Sequence, residues 1–328
     1  MVKPLEFEIH GPWGVRLTTI LTSFSAQFNN ILNGQPLTTE EKIEWLDNVK
    51  IEWSNGDCAK GAECSSFWDL FSPNWEYFYD KTKIDKFSHL DSKSLDNIHN
   101  HFIKNNSSNY DWIKHFLNPS EKLKSYIDQL GELSTDFDND VACYYRGWHD
   151  RGVPICGGIH PFIYGQFVDK ITKDGLVLLC TDNGYWENGL ENFVGDRFRS
   201  VSKHLVEPIN PPTDSRGYHE APNWWPSQEI TNGINSDFYN TTIVDGDIIW
   251  VAKIIYLSKF KYLIANAHTQ TTIQLIAFRG NFDNLVVIDS YLNHKWFHTL
   301  GDIDTSDLED TSNWGNFEDL SEKEIYDI

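Results

Sequence analysis

Between Thr242 and Asp289 the chain carries four apolar runs, Ile248–Leu257, Lys261–Ala267, Thr272–Phe278 and Leu285–Asp289. No other stretch constrains the fold as much. Val, Ile, Tyr, Phe and Thr dominate these runs, and such side chains suit a pleated, half-buried surface. Gly246, Ser258-Lys259 and Gly280-Asn281 punctuate them at hairpin-like intervals. Each gap is too short for a helical crossover, so neighbouring strands are expected to run antiparallel. The stretch therefore predicts a meander, and a meander needs something against its apolar face.

The first half of the chain supplies that cover. Leu21, Phe24, Phe28, Ile31 and Leu32 are spaced as one face of a helix ended by Asn33-Gly34. Leu95, Ile98, Phe102 and Ile103 predict a second helix. Ile113, Phe116 and Leu117 form a short apolar face, and Leu123, Tyr126, Ile127 and Leu130 predict a helix stopped by Gly131. Further on, Val141–Tyr145 reads as a strand. Phe167–Ile171 and Leu176–Cys180 flank Lys173-Asp174-Gly175 as a hairpin, with Gly175 expected at positive φ. The fold class expected is α+β, a helical N-terminal half packed on a mainly antiparallel β-sheet in the C-terminal half. Residues 1–300 would form one domain, helix-rich over 18–130 and strand-rich over 141–290. Residues 301–328 would form an acidic tail.

A net charge of −21 opposes binding to nucleic acid or anionic membranes, since phosphate contacts need Lys and Arg. No stretch reaches the roughly 18 apolar residues of a membrane span, and Lys3, Glu6 and Glu8 interrupt any apolar leader. A cytoplasmic location is expected, with Cys58, Cys64, Cys143, Cys156 and Cys180 reduced. Asp136, Asp138 and Asp140 lack the glycine and glutamate of a calcium loop and read as solvated acid. The aromatic run over residues 67–87, with Phe67, Trp68, Phe71 and Trp75, reads first as packing and second as a stacking platform.

The sequence holds no phosphate-binding Gly-Lys-Ser/Thr loop, dinucleotide glycine fingerprint, Gly-x-Ser-x-Gly elbow or His-Glu-x-x-His. Three constellations stand in their place. His89-Leu90-Asp91 with the distant His268 resembles the iron-binding triad of 2-oxoglutarate oxygenases, with Arg279 near the place of that family's co-substrate arginine. The resemblance implies Fe(II) at His89, Asp91 and His268, and 2-oxoglutarate on Arg279. It departs from the family at His89, where a helix is expected instead of a strand. Tyr145-Arg146-Gly147 resembles the arginine motif of ADP-ribosyltransferase toxins, which implies a phosphate anchor at Arg146; that family's Ser-Thr-Ser strand and Glu-x-Glu pair are absent. The third set is His149, Asp150, His160, Trp186, Glu187 and Glu191, where a carboxylate pair could do acid/base work on a glycosidic bond.

These readings converge on an enzyme that takes a small or sugar-like substrate in an aromatic-lined cleft, with a 2-oxoglutarate-type oxygenase as its sharpest form. The alternative is a non-catalytic ligand- or carbohydrate-binding protein. His149, Asp150 and His160 are the candidate catalytic residues. Arg146, Trp186, Trp224, Trp225 and Arg279 are the candidate ligand contacts. Trp224-Trp225 lies between Pro222 and Pro226 in a long connection, and such connections inside a compact domain are often functional.

Overall fold

The computed structural model describes residues 6–9, 17–25, 50–53, 67–74, 111–145, 149–150, 153–154, 159, 161–181, 184–205, 246–267, 269–289, 296–300 and 303. Its strands are β1 (Glu6–Ile9), β2 (Lys50–Trp53), β3 (Phe71–Pro73), β4 (Leu117–Pro119), β5 (Val141–Tyr145), β6 (His149–Asp150), β7 (Val153–Pro154), β8 (Val177–Thr181), β9 (Phe198–Ser200), β10 (Tyr262–Asn266), β11 (Leu285–Asp289) and β12 (Trp296–Leu300). Its helices are α1 (residues 17–25), α2 (Phe67–Leu70), α3 (Asp111–Phe116), α4 (Glu121–Leu130), α5 (Pro161–Ile171), α6 (Gly184–Val194), α7 (Gly246–Ser258) and α8 (Gln270–Arg279).

Among the described residues six strands form the main sheet, in the order β12-β11-β10-β5-β8-β9. The pairs β11/β10, β10/β5, β5/β8 and β8/β9 are parallel, and only β12 runs antiparallel, against β11. This overturns the expected antiparallel meander. The fold is α/β, Rossmann-like, with helices between successive parallel strands. Two of the four runs, Lys261–Ala267 and Leu285–Asp289, do contain strands. The other two are the crossovers themselves: Ile248–Leu257 lies in α7 and Thr272–Phe278 in α8. Phe167–Ile171 belongs to α5, so no hairpin closes at Gly175.

The physical reason is burial on all sides. Residues 248–258 of α7 are buried at every position. A helix that is apolar all round loses the periodicity that would mark it, and its Ile and Val content then reads as strand. The modest helix-propensity penalty of β-branched residues, below about 0.7 kcal/mol each, is outweighed by roughly 1.5–3 kcal/mol for each large apolar side chain buried. Thr269 caps α8, its hydroxyl accepting from Thr272 N at 3.0 Å, and Gly280 ends it in the left-handed region at φ 86°.

Side chains alternate across the sheet. Ala142, Tyr144, Leu178, Cys180, Leu263, Ala265, Leu285 and Val287 face one core, packed with α1, α3, α4, α7 and α8. Val141, Cys143, Tyr145, Val177, Leu179, Ile264, Val286 and Ile288 face the other, under α5 and α6. Covering both faces is the rule for parallel sheets and explains their continuous apolar strands. Phe67 and Phe71 are core residues, with Phe71 stacked on Phe278 at 5.8 Å, so packing accounts for these two rings of the aromatic run.

Asp140 is also structural and not solvated. It is buried, accepts from Leu176 N at 2.7 Å and from the Ser134 hydroxyl, and so ties the start of β5 to the start of β8. Gly175 is needed beside it, but not for a positive φ: a Cβ there would collide with the Asn139 carbonyl. Gly280 is constrained twice, by its φ and by Asp111 and Lys114, which occupy the space a Cβ would take. Gly280→Ala should therefore lower stability by about 1–3 kcal/mol, measured by denaturant unfolding. A midpoint equal to wild type would show that α8 can end without this geometry.

Candidate functional site

The chain builds β5, β8 and β9 outward to one side, then returns to place β10 and β11 on the other side of β5. Strand order thus reverses between β5 and β10. In open α/β sheets the crevice for a ligand lies outside the carboxyl ends of the strands at this reversal. Tyr145 and Asn266 end the two strands here, and both are buried.

On the β10 side the helix begins almost at once. Asn266 is followed by Ala267, His268 and the cap Thr269, so the amino end of α8 opens beside the crevice. Thr272 Oγ1 donates to Asn266 O at 2.6 Å, and Ala267 N donates to Ile288 O at 2.7 Å. These bonds fix the strand-to-helix turn. A helix amino end carries partial positive charge and N–H groups without intrahelical acceptors, which suits an anion.

On the β5 side the connection is long, from Arg146 to His160, and α5 starts only at Pro161. Its two ends meet on one indole. Trp186 stacks on Tyr145 with ring centroids 4.1 Å apart and planes 11° apart. Its Nε1–H donates to Ile159 O at 2.6 Å. Tyr164 stands edge-on to Trp186 at 4.7 Å and donates through its hydroxyl to Tyr144 O at 2.9 Å. Trp186 itself is buried, so its rings are taken up by the wall of the site. His149 and Asp150 form β6, which pairs with β7 as a short antiparallel excursion within this connection.

On the β8 side, Glu187 sits in the first turn of α6 with no exposed surface. Lys203 Nζ lies 3.1 Å from its Oε2 as an ion pair, and neither carboxylate oxygen has a hydrogen-bond partner among the described residues. Ser202 holds the neighbouring turn, accepting from Thr181 N at 2.7 Å through its hydroxyl and from Lys253 Nζ at 2.5 Å through its carbonyl. Glu191 is exposed, so the two glutamates occupy different environments and do not act as a pair in one cleft.

Arg279 lies at the other edge of the sheet. Its guanidinium donates to the carbonyls of Phe260, Lys261 and Asp283, locking the entries to β10 and β11. Burial pulls it down to about 10, with Asp283 opposing. This placement, together with the parallel sheet, removes the antiparallel setting on which the 2-oxoglutarate oxygenase resemblance depended. His89, Asp91 and His268 lie outside the described residues, as do Arg146, His160, Trp224 and Trp225. Among the described residues no group of three His, Cys, Asp or Glu side chains is arranged to hold a metal. Cys143 and Cys180 are buried and neither is in a disulfide, and burial raises the Cys143 thiol well above its ordinary value.

No protein-family model matches the chain, and no curated protein matches it. Among solved structures it is similar to a crystal structure of NodZ alpha-1,6-fucosyltransferase soaked with GDP-fucose, at 13% identity and a TM-score of 0.33. That likeness covers 57% of this chain and 51% of that one, so the match spans about half the length of the fucosyltransferase. Among the described residues no helix is long and apolar enough to cross a membrane.

Sequence reasoning missed the amino end of α8, although Thr269 as a cap and Gly280 as a stop were both visible. It also missed Lys203 and Ser202, for which no local signal exists. Trp186→Phe keeps a ring against Tyr145 and removes the donor to Ile159 O. It should cost about 1–2 kcal/mol, read as a shifted urea midpoint. An unchanged midpoint would mean that the indole N–H contributes nothing to anchoring the connection.

Proposed function

We propose that this chain binds a phosphate-bearing, nucleotide-type small molecule across the crevice between β5 and β10 and transfers a group from it. The observation that carries the reading is the reversal of strand order at β5/β10 with the amino end of α8 opening three residues beyond Asn266. A phosphate there gains the helix dipole and backbone N–H groups. In a chain of net charge −21 such a local positive field is what an anion needs.

The long connection after β5 argues against a dinucleotide of the usual kind, whose pyrophosphate rides on a short glycine turn at the first helix. Here the first helix after β5 among the described residues starts at Pro161, well beyond Tyr145. A nucleotide-linked sugar is the ligand we favour. Its diphosphate would take the α8 end and Arg146, and its sugar would meet the polar side of the connection. In this reading His149, Asp150 and His160 supply acid/base groups for transfer, and Trp224 and Trp225 supply rings for stacking.

The test is calorimetric titration with GDP, UDP and ADP and their sugar conjugates against three proteins. Wild type should bind at least one of them with a Kd below about 1 mM. Thr269→Asn and Thr269→Asp both preserve a good cap, but only the second places a negative charge beside the phosphate. Thr269→Asp should lose about tenfold or more in affinity, while Thr269→Asn stays within about threefold. No binding by wild type, or equal binding by the Asp variant, would overturn the proposal.

A further inference from the structure

A cavity of about 580 Å³ opens at the amino edge of the sheet, where the chain enters β10 and β11. The five residues of β10 separate it from the crevice, a distance of roughly 16 Å at the rise of a strand. Its size falls within the range of small-molecule sites. Lys114, Lys259, Lys261 and Arg279 line it, against the single carboxylate of Asp283. The chain as a whole has 27 Lys and Arg against 48 Asp and Glu, so this wall inverts the charge balance around it.

Two further facts separate the cavity from an ordinary lysine-bearing surface. Arg279 is 7% exposed, and its Nε is a buried donor with no acceptor among the described residues. The floor is apolar, formed in part by Phe278, whose ring is stacked on Phe71. Lys114 pairs with Asp111 at 2.8 Å, whereas Lys259 and Lys261 are exposed, their ammonium groups 5.8 Å and 5.0 Å from the Phe137 and Tyr262 rings outside the cavity. Burial of the stem lowers the Lys259 ammonium from its ordinary value, and Asp128 opposes this.

We infer that this cavity is a second binding site, for a small organic phosphate that sets its anionic head against Lys259 and Lys261 and its apolar body against Phe278. Backbone carbonyls hold Arg279 rigid, so it forms a fixed positive wall instead of a moving contact. Ligand bound here would touch the entries to β10 and β11, whose far ends border the crevice.

Phenyl phosphate is the probe, titrated calorimetrically into the full chain, with inorganic phosphate and phenol as its two halves. Phenyl phosphate should bind one-to-one with a Kd below about 1 mM, at least fivefold tighter than phosphate, and phenol should give no saturable heat. The double variant Lys259→Ser/Lys261→Ser should weaken binding about tenfold or more. Lys259→Arg/Lys261→Arg should retain it, as should Lys173→Ser, which removes an exposed lysine elsewhere. Both substituted lysines are exposed, and an unchanged melting curve without ligand will confirm a folded double variant. Thr269→Asp should bind phenyl phosphate as wild type does, which separates this site from the crevice. No binding by wild type, undiminished binding by the double Ser variant, or phenol binding as tightly as phenyl phosphate would each overturn the inference.

Discussion

A parallel sheet has to be covered on both faces, and this requirement organises the whole molecule. The central strand β5 is buried at all five positions and pairs in parallel with β8 on one side and β10 on the other. Water cannot serve as the second layer for such a strand. The chain must therefore spend α5 and α6 on one face and α7 and α8 on the other. Each helix also returns the chain to the edge where the next strand starts. Cover and connection are the same act, which is why the crossovers carry so much of the apolar sequence.

That double duty explains what could and could not be read from residues alone. Helix α4 was plain, with Ser120 as cap, Gly131 as stop and Leu123, Ile127 and Leu130 on one face, because its other face is wet. Strands β5, β8, β10 and β11 were also visible as short runs of Val, Ile, Leu and Tyr. The crossovers α7 and α8 were not, since burial all round erased their helical period. Misreading them as strands forced the antiparallel assignment, because it used up the very segments that make parallel pairing feasible. The length of the Ile248–Leu257 run was the available warning, since ten residues is long for a strand and ordinary for a helix.

The candidate site was read in a different way. The loop after β5, with Arg146, His149, Asp150 and His160, was singled out for its polar residues and glycines; β5 ends beside the reversal of strand order, while Arg146 and His160 lie outside the described residues. Arg279 was singled out by its distance from His268, and topology carries it to the opposite edge. Sequence spacing cannot distinguish these outcomes. Which edge a residue reaches depends on whether it precedes or follows a parallel strand, and that is known only once the strands are.

The indole of Trp186 has a consequence for how this protein could change. It receives both ends of the connection between β5 and α5, Tyr145 on its face and the Ile159 carbonyl on its N–H. The span to be closed is thus set by one side chain that belongs to another helix, and the intervening residues do not have to hold the ends together. Doubling the length of such a loop costs only about 0.6 kcal/mol of closure entropy. The connection can be regarded as an exchangeable cartridge in a fixed socket. Its sequence and length are free to vary while the sheet beneath, and the fold it specifies, stay as they are.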